Sequence, residues 1–333
     1  MRLLSTAALL GLVATQAGCL TLHLVDASVH KPSNVAVYFS VTDSSRHPVA
    51  SMTADQFRIY EDGKVVSLFE SRQTILNPEV AVVQDTLLLL DMSGSVTESG
   101  RINDLIEAAS AFTERISKTQ VVGVATFDGS KDIHALTGFS AGGGNARQSI
   151  SSLASYKPKD PSTNLNGAVI EGLHALQAQM ARSTQPLRMG NLVVFTDGTD
   201  HAHRVSRADL QRALDGLDDT INVFVIGVGA EIDSGELHSI GRTKTVLSRD
   251  PAKVRIAFDD IAQVVEDYGR SFYLLSYCSP ARAGEHDVEV EARPPHKGSG
   301  RLIYHFNAAG FGPQCDPNQA PSFDVHHPRT KTR

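Results

Sequence analysis

The sequence predicts an α/β protein built around a doubly wound, mostly parallel sheet of six strands. The segment 85–96, D-T-L-L-L-L-D-M-S-G-S-V, is typical of a strand that is buried on both faces and ends in oxygen-bearing side chains. Apolar strands alternate with amphipathic helices between residues 81 and 271. Both flanks of this region show the period-two pattern of antiparallel strands.

The two flanks are expected to form one small β-sandwich. In the N-terminal flank, residues 19–80, an Asp62-Gly63 turn joins two strand patterns as a hairpin. The C-terminal flank, residues 272–315, shows three further strand patterns. Each flank is too short to bury much apolar area by itself. We therefore expect the flanks to pair with each other and the α/β domain, residues 81–271, to be inserted between them.

Elements of the central domain follow from apolar spacing. Apolar residues three and four positions apart predict helices, short apolar runs predict buried strands, and Ser206 with Asp209 forms a capping box that opens one helix. The predicted order is strand 85–90, helix 102–116, strand 120–127, antiparallel edge strand 132–139, a helix after Thr163, strand 192–195, a helix after Ser206, strand 221–227, strand 246–247 and helix 252–268.

Five polar residues follow the predicted strands or precede a helix. Asp91, Ser93 and Ser95 place three oxygens at alternating positions on a tight turn. Thr163 opens a helical pattern, and Asp197 ends the second strongly apolar strand. Ligands bind at the carboxyl ends of strands in open parallel sheets, so we expect these residues to lie close together. Oxygen donors of this kind suit a hard cation.

These positions resemble the metal-ion-dependent adhesion site of the von Willebrand factor A family, also known as the integrin I-domain fold. Its motif is D-x-S-x-S with a distant Thr and a distant Asp. The resemblance implies that Ser93, Ser95 and Thr163 bind Mg²⁺ or Mn²⁺ through their hydroxyls, while Asp91 and Asp197 act largely through water. One coordination position then stays open for an Asp or Glu of a partner protein, which makes the chain an adhesion module and not an enzyme.

Three other interpretations compete with a metal-dependent module. Asp91 and Ser93 can cap the following helix, although capping explains neither Thr163 nor Asp197. A metal-independent scaffold of the cell envelope is the second interpretation. The third is a Mg²⁺-dependent hydrolase with an aspartyl nucleophile. Such enzymes carry D-x-D at the end of the strand, where this chain has Ser93 as the second residue, and neither Ser93 nor Ser95 stands in a G-x-S-x-G motif.

A zinc site and a nucleic-acid surface have little support. His201 and His203 are two residues apart, but no second Cys or His pair follows at zinc-ligand spacing. We interpret this segment as a surface loop. The formal net charge is −6 and no helix pattern carries a basic stripe, so we expect no nucleic-acid partner.

The N-terminus predicts export. Residues 1–18 combine a short positive region with an apolar run that is too brief to span a membrane, which is typical of a signal peptide. The sequence Gln16-Ala17-Gly18-Cys19 resembles a bacterial lipobox, with Gln16 where Leu is usual. The resemblance implies a lipid on Cys19 and a protein anchored to the outer membrane of a bacterial envelope. Cleavage after Ala17, giving a secreted soluble protein, is the alternative.

The remaining cysteines predict a disulfide. With Cys19 set aside as the anchor, Cys278 and Cys315 are an even pair in an exported chain, so we expect them to be oxidised to a disulfide. Two free thiols remain the alternative, because sequence does not give the distance between them. Residues 316–333 are polar and contain proline, which predicts a disordered tail.

Overall fold

The computed structural model describes residues 19–76, 82–183, 187–218, 220–230 and 232–318. The predicted signal peptide, residues 1–18, and residues 319–333 of the predicted tail lie outside the described residues. The chain divides into two compact units. One unit combines the N-terminal part of the chain up to Ile75 with the C-terminal part from Leu275, and the other contains the chain from Leu76 to Leu274.

Fourteen strands and seven α-helices are found in the described residues. The strands are β1 (Thr21–His30), β2 (Asn34–Thr42), β3 (Phe57–Glu61), β4 (Lys64–Val65), β5 (Thr74–Leu76), β6 (Val82–Asp91), β7 (Val121–Phe127), β8 (His134–Ser140), β9 (Leu187–Thr196), β10 (Ile221–Val228), β11 (Lys244–Ser248), β12 (Phe272–Cys278), β13 (Glu285–Ala292) and β14 (Gly300–Asn307). The helices are α1 (Gly94–Glu98), α2 (Ile102–Ile116), α3 (Ala146–Ser151), α4 (Leu165–Arg182), α5 (Arg207–Asp215), α6 (Ser234–Ile240) and α7 (Val254–Arg270).

The first unit contains two four-stranded sheets, and each combines strands from both flanks. Their strand orders are β1-β2-β12-β5 and β14-β13-β3-β4. Phe39 on β2 and Phe57 on β3 meet edge to face between the sheets, with ring centroids 5.5 Å apart, and both side chains are fully buried. Burial of each ring contributes about 2–3 kcal/mol, which holds the two sheets together. The expected sandwich of both flanks is therefore confirmed.

The second unit is the predicted α/β domain. Its six-stranded sheet has the order β11-β10-β9-β6-β7-β8. The pairs β6/β7, β6/β9, β9/β10 and β10/β11 are parallel, and β8 is antiparallel to β7 as the alternation of residues 132–139 predicts. This confirms a doubly wound sheet that is parallel except for one edge.

The four leucines of β6 are buried because helices cover both faces of the sheet. Leu88 and Leu90 belong to the core that also contains residues of α2 and α7. Leu87 and Leu89 point the other way, into the core that contains residues of α4, α5 and α6. Successive side chains of a strand point to opposite faces, so a continuous apolar run is needed when both faces are covered.

The disulfide expected from the cysteine pair is present. It joins Cys278, at the end of β12, to Cys315, which follows β14, and the two Cα atoms are 5.7 Å apart. Asn34 holds the same C-terminal segment by donating a hydrogen bond to the carbonyl of Asp316. The segment after β14 is therefore fastened to the sandwich unit at two points. None of the helices described here is long and apolar enough to cross a membrane.

Candidate metal centre

Asp91 ends the central strand β6 and is fully buried. Its Oδ1 accepts a hydrogen bond of 2.9 Å from the Ser93 amide, and its Oδ2 accepts one of 2.7 Å from the Thr196 hydroxyl. Burial and the nearby charge of Asp197 raise the pKa of Asp91 to about 7. Both oxygens of Asp91 are therefore fixed in place. A negative charge on buried Asp91 beside Asp197 is unfavourable, and a cation bound between them would offset it.

Ser93, Ser95 and Asp197 form a connected row of side chains. The hydroxyls of Ser93 and Ser95 are 3.2 Å apart, and the Ser95 hydroxyl donates a hydrogen bond of 2.8 Å to Oδ1 of Asp197. Ser93 is buried, Asp197 is half-buried and Ser95 is exposed, so the row leads from the interior to the surface. Ser93 is the N-cap residue of α1, but its side chain accepts no hydrogen bond from the helix. Helix capping therefore does not account for its position.

Thr163 is tied to this row through the backbone of its own segment. The Thr163 carbonyl accepts hydrogen bonds from the amides of His201 and Ala202, at 2.9 and 3.0 Å. Two residues earlier, the Pro161 carbonyl accepts one of 2.8 Å from the Gly94 amide. The segment therefore lies between the turn that carries Ser93 and Ser95 and the loop that follows Asp197. Thr163 is almost fully buried and precedes the N-cap residue of α4, Asn164, by one position.

Two further carboxylates, not predicted as site residues, hold the loops around the site. Asp128 follows β7 and accepts hydrogen bonds from the amides of Ser130 and Lys159, at 2.7 and 2.8 Å. Asp200 accepts them from the amides of Asn166 and His203, at 2.8 and 2.7 Å. The signal that singled out Asp91 and Asp197, a carboxylate at the end of an apolar strand, would also have found Asp128. Thr196 gave no such signal, because a buried Thr in a strand is ordinary.

The residues of this cluster fit a hard cation. Nowhere in the described part of the chain do three or more His, Cys, Asp or Glu side chains converge as metal ligands, so a cation here would rely on hydroxyls as well as carboxylates. Hydroxyl and carboxylate oxygens are the donors that Mg²⁺ and Mn²⁺ prefer. His201 and His203 do not join the cluster as a metal-binding group: His201 Nε2 lies 3.4 Å from the Thr199 hydroxyl, and both histidines are exposed.

The fold is a doubly wound α/β domain with a polar cluster at the carboxyl ends of β6 and β9, where proteins of this architecture bind their ligands. Residues 85–265, more than half of the chain, match the family model of the von Willebrand factor type A domain. The chain belongs to this family. The resemblance seen in the sequence is therefore confirmed.

Solved structures with the same type of domain are similar to this chain at low sequence identity. A von Willebrand factor type A protein from Catenulispora acidiphila has a TM-score of 0.45 and 12% identity, over 89% of this chain and 74% of that one. BatB from Bacteroides thetaiotaomicron gives 0.43 and 16%, over 56% and 99%. The manganese-loaded TRAP protein of Plasmodium vivax gives 0.45 and 13%, over 75% and 98%. A search of curated protein sequences found no match.

Proposed function

We propose that the chain is an exported protein-binding module that captures an acidic side chain of a partner through a divalent cation. Asp91, Ser93, Ser95, Thr163 and Asp197 would hold Mg²⁺ or Mn²⁺. The observation that carries the proposal is the hydrogen-bonded row in which the Ser93 amide donates to buried Asp91, the Ser93 and Ser95 hydroxyls meet, and exposed Ser95 donates to Asp197. This row places oxygen ligands for a metal in the interior and leaves its outer end accessible to a partner protein.

Each residue has a distinct part in the proposed site. The hydroxyls of Ser93, Ser95 and Thr163 bind the metal without neutralising it, and the carboxylates of Asp91 and Asp197 supply the negative charge around it. When bound, the cation supplies a positive charge that the partner's Asp or Glu can neutralise. The Thr196 hydroxyl fixes the Asp91 carboxylate by a hydrogen bond. Asp128 and Asp200 accept hydrogen bonds from the amides of Lys159 and Asn166, on either side of Thr163, and so fix the segment that carries it.

Calorimetric titration of Mn²⁺ and Mg²⁺ into the mature protein tests the metal site. We expect one site per chain, and we expect Ser95→Ala and Asp197→Ala to abolish or strongly weaken binding. Ser99→Ala is the matched control, because the Ser99 hydroxyl lies at the other end of the same short helix, where it donates to the Val96 carbonyl and accepts from the Arg101 amide. If the wild-type protein binds neither metal, the metal-independent scaffold becomes the better interpretation. If the protein hydrolyses phosphate esters and this turnover depends on Asp91, the hydrolase becomes the better interpretation.

The acidic partner is tested separately once metal binding is established. Proteins of the cell envelope are passed over immobilised wild-type protein in Mn²⁺ and in chelator, and over immobilised Ser95→Ala in Mn²⁺. We expect a partner that is retained only by wild-type protein with metal. An Asp or Glu of that partner, replaced by Asn or Gln, should then be required for retention.

The proposed location is the bacterial envelope, with a lipid on Cys19. Cys19 is exposed and is not part of a disulfide, and the amide of the next residue, Leu20, donates a hydrogen bond of 3.1 Å to the Ser299 carbonyl of the sandwich unit. A lipid there would leave almost no linker between membrane and sandwich. Mass spectrometry of the mature N-terminus distinguishes a lipidated Cys19 from an unmodified Gly18, which ordinary cleavage after Ala17 would leave.

A further inference from the structure

A second cleft, with a cavity volume of about 660 Å³, lies entirely on the sandwich unit. Its wall contains the β3–β4 hairpin, the segment 66–72 that follows it, and the residues after β12 that carry the disulfide. The volume is in the range of protein ligand sites. None of the residues proposed to hold a cation belongs to it, so it requires an explanation of its own.

Three cations line this cleft without an ion pair. Lys64, Arg72 and Arg282 are exposed, and no carboxylate of the described residues forms an ion pair with any of them. The guanidinium of Arg72 donates a hydrogen bond of 3.3 Å to the Cys315 carbonyl, and that of Arg282 donates to the carbonyls of Ser279 and Ala281, at 3.0 and 2.7 Å. These contacts orient both groups and leave most of their five N–H donors free for a ligand.

Two of the three carboxylates that line the same cleft already have partners. Glu61 is only 6% exposed and accepts hydrogen bonds from the hydroxyls of Tyr277 and Ser279, at 2.6 and 3.1 Å. Asp62 pairs with His286 at 2.8 Å. Glu70 is the remaining acidic residue of the wall. Among the exposed groups of the wall, three cations without an ion pair therefore stand against one carboxylate without one, and the mouth of the cleft favours an anion.

The wall of the cleft also contains a buried hydroxyl, that of Ser71, without a hydrogen-bond partner. Ser71 is 1% exposed, lines the cleft, and its Oγ has no hydrogen-bond partner in the described structure. A buried hydroxyl without a partner costs about 1–3 kcal/mol.

The rim of the cleft is apolar. Val65, which lines the cleft, is 64% exposed, and Leu68 and Phe69 are 44% and 95% exposed on the segment between two lining residues, Ser67 and Glu70. Three large apolar side chains exposed within five residues are unusual on a soluble surface and typical of a contact with another protein.

We propose that this cleft binds an acidic segment of a partner protein, with its carboxylates on Arg72 and Arg282 and an apolar side chain against Phe69. The pairing of cations with exposed apolar groups favours a peptide over an acidic polysaccharide, which offers charge but no apolar side chain. The chain's own residues 319–333 are a poor match, because they contain Arg329, Lys331 and Arg333 against the single acid Asp324. The chain therefore has a second protein-binding surface that needs no metal.

A random dodecapeptide phage library, panned on the full mature protein in chelator, tests the proposal. We expect enriched peptides that combine Asp or Glu with Leu, Ile or Phe, and the best of them, made with a fluorescent label, should bind in an anisotropy titration. The double variant Arg72→Ala, Arg282→Ala should weaken binding at least tenfold, and Phe69→Ser should weaken it at least threefold. Arg147→Ala, Arg212→Ala is the control, since those side chains are 80% and 77% exposed on the other unit.

Several results would overturn the proposal. The first is that no peptide is enriched, and the second is that the enriched peptides lack acidic residues. The third is that Phe69→Ser leaves peptide binding unchanged, which would indicate a site for anions without an apolar contact. Tenfold tighter peptide binding after removal of residues 319–333 would assign the cleft to the tail instead, and dimerisation lost in Phe69→Ser would assign it to a second copy. The peptide is selected and titrated in chelator, so failure of the metal site leaves this test intact.

Discussion

The hydroxyl of Thr196 donates a hydrogen bond of 2.7 Å to Oδ2 of Asp91, from one parallel strand to its neighbour, and both residues are fully buried. It is a link between the two strands whose ends carry the proposed metal site. Four expectations follow from this contact and from others described above.

Replacement of Thr196 by valine keeps the shape of the side chain and removes the donor. The buried carboxyl of Asp91 then loses a hydrogen bond, so we expect the free energy of unfolding to fall by about 1–3 kcal/mol in urea denaturation without metal. Thr97→Val is the control, because the Thr97 hydroxyl bonds the neutral Ser93 and Gly94 carbonyls at the start of a helix. An equal loss in both variants would mean that the charge of Asp91 does not matter.

Gly229 lies beside the backbone of Asp197, and a Cβ there would collide with the Asp197 carbonyl oxygen and lie 3.2 Å from its Cβ. Gly229→Ala should displace Asp197 and weaken Mn²⁺ binding about tenfold or more, as changes next to metal ligands do. Gly198→Ala is a matched control on the other side of Asp197, where an added Cβ meets nothing within 4 Å. Calorimetric titration compares the two, and equal affinity would show that the position of Asp197 does not depend on Gly229.

The disulfide closes a loop with a sequence separation of 37 residues. Replacing both Cys278 and Cys315 by serine should lower the free energy of unfolding of the sandwich unit by about 2–4 kcal/mol, because the unfolded chain is less constrained. Reduction of the wild-type protein should give the same midpoint in urea as the double variant. Cys19→Ser should change nothing, and a loss of stability in that variant would contradict this assignment.

The His286–Asp62 pair makes the sandwich unit sensitive to pH. The hydrogen bond that His286 donates to the Asp62 carboxylate raises the pKa of His286, so the contribution of His286 to stability is complete below the unfolded-state pKa and is lost as pH rises through the raised value. The hydrogen bond from His286 lowers the pKa of Asp62, whose contribution is lost as pH falls through the lowered value. The pair therefore contributes fully between about pH 4 and pH 6.5.

Thermal unfolding of His286→Gln and wild-type protein checks this expectation. The difference in midpoint should be larger at pH 5.5 than at pH 8.5. His174→Gln is the control, because its side chain is 64% exposed and 3.8 Å from Glu171, and such exposed pairs contribute little at any pH. A difference for His286→Gln that is the same at both pH values would contradict the pairing.

The α/β domain was predictable because its signals are strong and local. The apolar run of β6 requires cover on both faces, and Leu88 and Leu89 indeed enter opposite cores. The antiparallel edge strand followed from alternation alone. In the first unit, β1 was not identified as a strand, because a register shift between Leu24 and Asp26 interrupts its alternation. Such an irregularity depends on the partner strand and is not visible in a short sequence window.

The candidate site was predictable only in part. Asp91, Ser93, Ser95 and Asp197 lie in one hydrogen-bonded row, as the strand ends indicate. Asp128 and Asp200 were not predicted as site residues, although Asp128 follows an apolar strand, because the amides of Lys159 and Asn166 that they bind are 31 and 34 residues away in sequence. Thr196 was not predicted because a buried Thr in a strand is ordinary. The sequence also gives no measure of how deeply Asp91 is buried, and the shift of its pKa depends on that depth and on the charge of Asp197.

The insertion of one unit within the other has a consequence for the order of folding. Gln84, near the start of the inserted domain, donates a hydrogen bond of 3.4 Å to the carbonyl of Gly269, near its end. When that domain folds, about 185 residues of intervening chain no longer have to be closed as a loop before β2 can meet β12, which removes most of an entropic penalty that grows with loop length. During synthesis or export, the N-terminal strands cannot pair until the C-terminal strands are available. Folding of the inserted domain then brings the two sets of strands closer together along the chain.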